Sequence, residues 1–527
     1  MRDACNLANS RTEYGYAAMD TLSDLARAGH ALSCTPAPVF GRRTRTVVGL
    51  VGLGLLLGGC ASFSEDGGLS VTRNYAALEL HKDIVKVNDQ GIALTAEAEV
   101  EQLLRRPLTA DSAVQIALLK NRGLQAVFND LGVSEAQYVQ ATLPPSPRLS
   151  ITQWGLGFNT EIERSVAASV LELATLPVRA EIARQRFTAD QYNAAEQVLR
   201  LGGEARRQFY RTVAANQATA FLEQALAGAE SASTLAKQLG ETGALNKLEQ
   251  AREHAFYSEL GAQLAKARVQ QRAERERLTR LLGLWGRDID FRLPNGLPPL
   301  PGRLVDGHAI EAEAMIKRAD VQAARFELQS LVGQFGLNQA SGFVSVFDAG
   351  FANRFSRSRT AGGEGGAPKV DKASLNGFSA DLVIPIYDFG ATAVRGAQES
   401  YLASANRLAE RAVNARSEVR EAFQRYRGQY DITRHYQTSV LPLRRTIQDQ
   451  ALLQYSGMLL DVTTLIVDAR ARILSNIQAI EAQRDFWIAA TDLKAATVGG
   501  GFSGGNFGGE AAGGTPGTSL AVATPGG

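Results

Sequence analysis

Phe378-Ser379-Ala380-Asp381-Leu382-Val383-Ile384-Pro385-Ile386 is the stretch whose reading decides the fold. Phe378, Ala380, Leu382, Ile384 and Ile386 alternate with Ser379 and Asp381, the period of two that gives a strand one apolar face. Upstream, Phe343, Phe347, Ala349, Phe351 and Phe355 fall on one face of a second extended stretch. Between them, residues 356–374 form a Gly-, Ser- and Lys-bearing loop long enough to stand on a surface. An earlier pair, Leu149–Phe158 and Val166–Leu173, flanks a polar turn at Asn159–Arg164 and alternates less cleanly. The chain is thus predicted to hold four strands of about ten residues, the length a tilted membrane-spanning strand needs. Closed membrane barrels begin at about eight strands, and an open sheet edge cannot face lipid. One copy cannot close such a barrel, whereas three copies contributing four strands each supply about twelve. A membrane reading therefore requires assembly.

Around the strands the chain reads twice. Leu124-Gln125-Ala126 and Val321-Gln322-Ala323 match at an offset of 197 residues, which Leu131 and Leu328 keep. Leu108-Thr109-Ala110-Asp111 leads into the first copy, and Val305-Asp306 with Ala309 and Ile310 into the second. Each is followed by an extended apolar stretch, a long helical stretch, a glycine-bearing turn and a second helical stretch. A repeat this long signals duplication of a whole unit, not a solenoid. Predicted helices cover 110–142, 176–239 and 247–286 in the first unit, and 306–338, 391–455 and 460–497 in the second. No proline lies between Pro177 and Pro294, so the 176–239 helix would run about 95 Å. Pro442 is expected to kink its counterpart. An opening helix and a return helix stacked end to end would match each long helix, giving a wall of paired helices. Val462, Ile466, Ala469, Ile473, Ile477 and Ile480 recur at the spacing of a coiled-coil seam. A plain coiled-coil rod would share that spacing but not the strands.

At the other end, Arg42, Arg43 and Arg45 precede an apolar run from Val47 to Leu57 that closes on Leu57-Gly58-Gly59-Cys60. This is the pattern of a secretory signal, too short for a stable bilayer-spanning helix. Its end resembles the bacterial lipobox, which implies that Cys60 is acylated, becomes the new N-terminus and holds the protein to a membrane. Ala61 and Ser62 follow, without the aspartate that marks inner-membrane retention, so the resemblance implies the outer membrane. Residues 1–41 are polar and lie upstream of where a signal begins, which points to an early-assigned start or a leader removed with the signal. Past Cys60 there is no cysteine, so the mature chain has no disulfide and no thiolate metal site. A formal net charge of +2 gives no reason to expect nucleic acid as a partner. Histidines at 30, 81, 254, 308 and 435 are not at metal-ligand spacing, and no phosphate loop or nucleophile elbow is present. No catalytic residue, metal or cofactor is expected beyond lipid on Cys60. The organisation reads as a leader and signal over 1–59, and a segment over 60–107 wrapping the helical body. Repeats follow over 108–297 and 304–498, then a Gly-rich tail, expected to be disordered, over 499–527.

Four motifs, in this order in a doubled chain, resemble the TolC-like outer-membrane efflux proteins over about residues 100–498. They are Leu108-Thr109 with Ala113, Ala117-Leu118 and Asn121 to Ala126; Gly243-Ala244-Leu245-Asn246-Lys247-Leu248-Glu249-Gln250-Ala251; Ile384-Pro385-Ile386-Tyr387-Asp388-Phe389-Gly390; and Gly457 through Asp468-Ala469. The resemblance implies a mainly α fold with a small β part. Duplicated helical hairpins would form a periplasmic tunnel, and four strands per chain would join a homotrimeric, twelve-stranded barrel. Its implied function is a conduit for small molecules or metal ions, driven by an inner-membrane pump through a periplasmic adaptor. Pro385, Asp388 and Gly390 then mark the barrel–tunnel corner. Asp468 matches an acidic constriction residue, with Asp461 a weaker match. Gly243, Ala244, Leu245, Asn246 and Lys247, with Gly457, Met458 and Leu459, become adaptor-contacting tips. A duct for secreted polypeptides and a non-channel periplasmic scaffold lipoprotein are the rival readings.

Overall fold

The computed structural model describes residues 62–501, except 156, 158, 244, 308, 361–368 and 458, and the side chains of 462 and 463. The signal, Cys60, Ala244, Met458 and the tail beyond 501 therefore lie outside the described residues.

The N-terminal segment forms α1 (Ser70–Tyr75), a π turn over Ala76–Leu80, and α2 (Gln90–Leu104), which Asp89 caps by accepting from the Ile92 N–H at 2.7 Å. It does more than wrap the outside. Leu69, Ala76, Leu80, Ile84 and Val100 are buried in the same core as Leu118, Phe128 and Val198. Hydrophobic burial of this kind, about 1.5–3 kcal/mol per large side chain, makes the segment part of the body.

Next come α3 (Ala110–Lys120), α4 (Arg122–Thr142), β1 (Arg148–Trp154), β2 (Thr160–Ser169), α5 (Val170–Glu241) and α6 (Lys247–Leu282). The chain continues with α7 (Ile310–Lys317), α8 (Ala319–Ser341), β3 (Val346–Thr360), β4 (Lys369–Val383), α9 (Ala391–His435), α10 (Leu441–Ser456) and α11 (Val462–Val498). The 72 residues of α5 extend about 108 Å. Its first half packs on α4 and α8, where Ser134 bonds Asp190 and Ile182 meets Gly333. Its second half packs on α6, where Gln208 donates to Glu274 at 2.6 Å. The end-to-end arithmetic of opening and return helices is realised here. Arg207 on α5 and Asp492 on α11 form an almost fully buried pair at 2.9 Å.

Four features differ from the sequence reading, the first being that Thr160–Arg164, expected as a polar turn, belongs to strand β2. Each opening helix is broken for one residue, at Asn121 and at Arg318, where the backbone turns extended (φ −67°, ψ 114° and φ −63°, ψ 119°). The strands β3 and β4 have 15 residues each, so the connection shrinks from 356–374 to 361–368. Finally, Val170–Leu173 is helical, because the Ser169 hydroxyl caps α5 by accepting from the Glu172 N–H at 3.4 Å. At Pro442 the chain inserts a π turn over Tyr436–Val440, with the Leu441 N–H bonded to the Tyr436 carbonyl. The wider turn gives the proline ring room beside the preceding carbonyls, so the helix resumes at once.

The strands form one antiparallel sheet in the order β1-β2-β3-β4.

Candidate channel-forming site

Residues opposite one another in an antiparallel ladder share a face, and successive residues alternate faces. Following the register across the four strands, one face carries the rows Leu149–Val166–Phe351–Phe378, Gln153–Ile162–Phe355–Ser374 and Ala168–Ala349–Ala380, with Phe347 opposite Leu382. Two polar rows cross it, Ile151–Arg164–Asn353–Asn376 within the apolar stretch and Thr160–Arg357–Lys372 beyond it. The other face carries Thr152–Glu163–Arg354–Leu375, Trp154–Glu161–Ser356–Ala373 and Ser169–Asp348–Asp381. There Arg354 bridges Glu161 at 3.0 Å and Glu163 at 3.1 Å, and Arg148 lies 3.9 Å from Asp348.

Neither face is covered. Phe378 is 92% exposed, Ile151 74% and Leu149 73%. Among the described residues, β1 and β4 each pair on one side only, leaving two rows of backbone groups without sheet partners. An exposed apolar face with two open edges is the kind of surface that marks a protein–protein or membrane interaction site.

At the foot of the sheet, Pro385, Asp388 and Gly390 stand in the turn between β4 and α9. The Pro385 carbonyl accepts from the Phe389 N–H at 2.7 Å. Asp388 accepts from the Gly390 N–H at 3.1 Å, the Thr392 N–H at 3.3 Å and the Thr392 hydroxyl at 2.5 Å. Chiefly the Thr392 bond holds its carboxyl below the usual range. Gly390 has φ +78°, and a Cβ there would lie 2.1 Å from the Gly342 carbonyl oxygen. Only glycine lets the β4–α9 corner pass the α8–β3 corner this closely. The first unit has no such loop, since β2 runs straight into α5.

The helical ends opposite the sheet hold the other named residues. Gly243 (φ +76°) ends α5, the Leu245 N–H bonds Leu239 at 3.1 Å, and Asn246 caps α6 by accepting from Glu249 at 2.8 Å. Lys247, the first residue of α6, is exposed. In the second hairpin the Gly457 N–H bonds Leu453 at 3.0 Å, with an ordinary φ of −82°. Leu459 is 81% exposed. Asp461 caps α11, its carboxylate accepting from the Thr464 N–H at 3.3 Å, which gives it a local structural task. Asp468 sits half-buried on α11, two turns further on.

Sequence reasoning missed Arg470 and Arg472, which follow Asp468 by two and four residues and reach out of α11. Arg470 bridges Glu259 on α6 at 3.2 Å and lies 4.9 Å from the centre of the Phe256 ring. Arg472 bonds Gln448 on α10. The first contact ties the second hairpin to the first. Beside it a cavity of about 470 Å³ opens between the hairpins, lined by Leu239, Phe256, Leu452, Ile466 and Ile473 among others. Arginines two apart on a helix were the only signal, and alone they read as a solvated edge.

Among the described residues, no group of three or more His, Cys, Asp or Glu side chains could hold a metal. No described helix is long and apolar enough to cross a membrane.

No protein-family model matches this chain, and no curated protein matches it. Solved structures do. The chain is similar to CusC, known from structures that follow transmembrane channel formation, with a TM-score of 0.61 and 17% identity; the match covers 74% of this chain and 92% of that one. It is similar to the CmeC outer membrane channel of Campylobacter jejuni, with a TM-score of 0.62 and 14% identity over 75% of this chain and 87% of that one. The outer membrane protein VceC of Vibrio cholerae gives 0.61 and 14%, covering 75% and 96%. The fold is therefore that of outer-membrane channel proteins.

Proposed function

We propose that this chain is one subunit of an outer-membrane channel, a passive conduit from periplasm to exterior in a tripartite efflux system. The observation that carries the reading is the sheet: a bare apolar face backs a charged face, and both edges are open. Three copies would join β1 of one to β4 of the next and close about twelve strands, satisfying every edge group as lipid demands. The apolar face would then meet lipid, each large side chain contributing about 1.5–3 kcal/mol, and the charged face would line water. The shared channel fold supports this assignment, and a periplasmic scaffold would have no use for the apolar face.

The helical hairpins of three copies would extend the pore into the periplasm, with acylated Cys60 as an additional anchor. Gly243 to Lys247 and Gly457 to Leu459 would meet the periplasmic adaptor that couples the conduit to an inner-membrane pump. Three copies of Asp468 around the axis would repel one another and attract cations, narrowing and selecting the passage. The cargo class is small molecules or metal ions, and the chain needs no catalytic group or cofactor to pass it.

The test is purification of the mature lipoprotein from outer membranes. An unheated gel band at the mass of a trimer, collapsing to monomer on boiling, together with stepwise conductance in a planar bilayer, supports the reading. A monomer without conductance sinks it.

A further inference from the structure

Four helices wall the cavity between the two hairpins. Phe221 and Leu239 stand on α5, Leu452 and Tyr455 on α10, Ile466 and Ile473 on α11. The fourth helix, α6, contributes Phe256 and a carboxylate, Glu253. Glu253 is only 4% exposed, and among the described residues its Oε2 has no hydrogen-bond partner. A buried carboxylate in that position is costly, and what relieves it is a counter-charge, a hydrogen bond or a proton. Burial accordingly raises its carboxyl above the usual range.

The cations around Glu253 are engaged elsewhere. Arg470 on α11 bridges Glu259 at 3.2 Å and packs on the Phe256 ring. His254 shares a hydrogen bond of 2.6 Å between its Nδ1 and the Ser233 hydroxyl on α5. Arg472 lines the cavity from α11, but it is bonded to Gln448 and only half-buried, so solvent serves its charge. What the cavity lacks is a positive charge at Glu253. What it offers is room: about 470 Å³, within the roughly 300–1,000 Å³ of pockets that hold drug-sized ligands. Phe221, Phe256 and Tyr455 add aromatic rings to the lining, and ring faces attract cations, not anions.

We propose that this cavity binds an amphiphilic organic cation, with its positive centre against Glu253 and its apolar body among Phe221, Leu452 and Ile473. The site is complete within one chain, so it does not rest on the barrel reading. An occupant spanning from α5 and α6 to α10 and α11 ties the first hairpin to the second, as the Arg470–Glu259 pair does beside it.

The probe is tetraphenylphosphonium, a permanent cation in an apolar shell, set against tetraphenylborate, an anion of nearly the same shape. Equilibrium dialysis measures the binding of each to the full mature protein in mild detergent, with protein-free detergent as the blank. Wild type is expected to bind the cation at least about tenfold more tightly than the anion. Glu253→Gln keeps the shape of the side chain without its charge and is expected to abolish that preference. Ala232→Phe, which fills the cavity from α5, is expected to exclude both ions. Circular dichroism establishes that each variant is folded. Equal affinity of wild type for the two ions overturns the proposal, as does a cation preference that survives in folded Glu253→Gln. Uptake of neither ion above the blank also overturns it, and tighter binding of the anion would assign the cavity to Arg472 instead. Where Glu253→Gln does not fold, Ala232→Phe decides: undiminished cation binding by that variant overturns the proposal.

Discussion

Asn121 and Arg318 stand 197 residues apart and do the same work. Each interrupts an opening helix for one residue and ties the break to the end of a return helix. Asn121 Nδ2 donates to the Leu281 carbonyl at 3.0 Å, and Arg318 Nη1 donates to the Ala496 carbonyl at 3.1 Å. Asn121 also caps α4, accepting from the Leu124 N–H at 3.1 Å. Arg318 binds Asp320 at 2.8 Å and Glu418 at 2.6 Å. One position is neutral and the other a buried charge, so their losses differ. Asn121→Ala is expected to cost about 1–2 kcal/mol, the worth of a cap and a buried hydrogen bond. Arg318→Ala is expected to cost about 3–5 kcal/mol, because it strands two carboxylates in a poorly solvated place. Denaturant unfolding of the detergent-solubilised protein, followed by circular dichroism, ranks them; the reverse order would contradict a buried charge at Arg318 and a neutral cap at Asn121.

The same network sets a pH dependence. Glu196 on α5 is pushed up to about 7, first by burial and then by the charge of Asp320. Its folded value therefore lies above the unfolded carboxyl value of 4.5. A group raised in this way binds its proton more tightly in the folded state. Its contribution is complete below about 4.5 and is lost as pH rises through about 7. Glu196→Gln is expected to flatten that segment, raising the unfolding temperature at pH 8 relative to wild type by a few degrees, on the order of 2–4 °C per kcal/mol. Melting curves at pH 5 and pH 8 measure it, and an unchanged pH slope would remove Glu196 from the account.

Two glycines with nearly equal backbone angles are expected to respond very differently. Gly390 (φ +78°) faces the Gly342 carbonyl, whereas a Cβ on Gly243 (φ +76°) meets nothing within 4 Å. Gly243→Ala carries only the cost of a left-handed alanine, about 1–2 kcal/mol. Gly390→Ala adds a clash with backbone that must shift the corner, so loss of assembled trimer is expected. Comparing heat-resistant trimer yields of the two variants decides the point, and equal yields would mean that the corner is not tightly held.

Asp468 and Asp461 separate in a conductance measurement. Asp461 is committed to capping α11, so Asp461→Asn, which still accepts the capping bond, is expected to leave the closed-state current unchanged. Asp468→Asn is expected to raise that current or weaken block by multivalent cations, since the ring charge would be gone. Single-channel recordings with and without a trivalent cation test both, and an Asp468→Asn channel indistinguishable from wild type removes this residue from the constriction.

The parts of the fold legible in the sequence were those written as period. Alternation from Phe378 to Leu382 located β4, and the proline-free run past Pro177 located α5. The outer ends of β3 and β4 were lost because Arg357, Lys372 and Asp371 make both faces polar there, and polarity reads as loop. The helix breaks at Asn121 and Arg318 carry no glycine or proline. A carbonyl on a distant return helix accepts from each side chain, a tertiary tie invisible to a local reading, and at Asn121 the local cap on Leu124 adds to it. The corner was legible because Asp388 and Gly390 act on their own backbone neighbourhood. The Arg470–Glu259 tie was not, because it joins helices more than two hundred residues apart in the chain.

Disulfide trapping between β1 and β4 tests the central claim most directly. Thr152→Cys is combined in one chain with Gly377→Cys, Ser379→Cys or Asp381→Cys, all on the charged face, and oxidised in the outer membrane. If three copies close one barrel edge to edge, at least one pairing yields covalent dimers and then trimers that stop there. Uncrosslinked monomers from every pairing, or a ladder running past three, would contradict it.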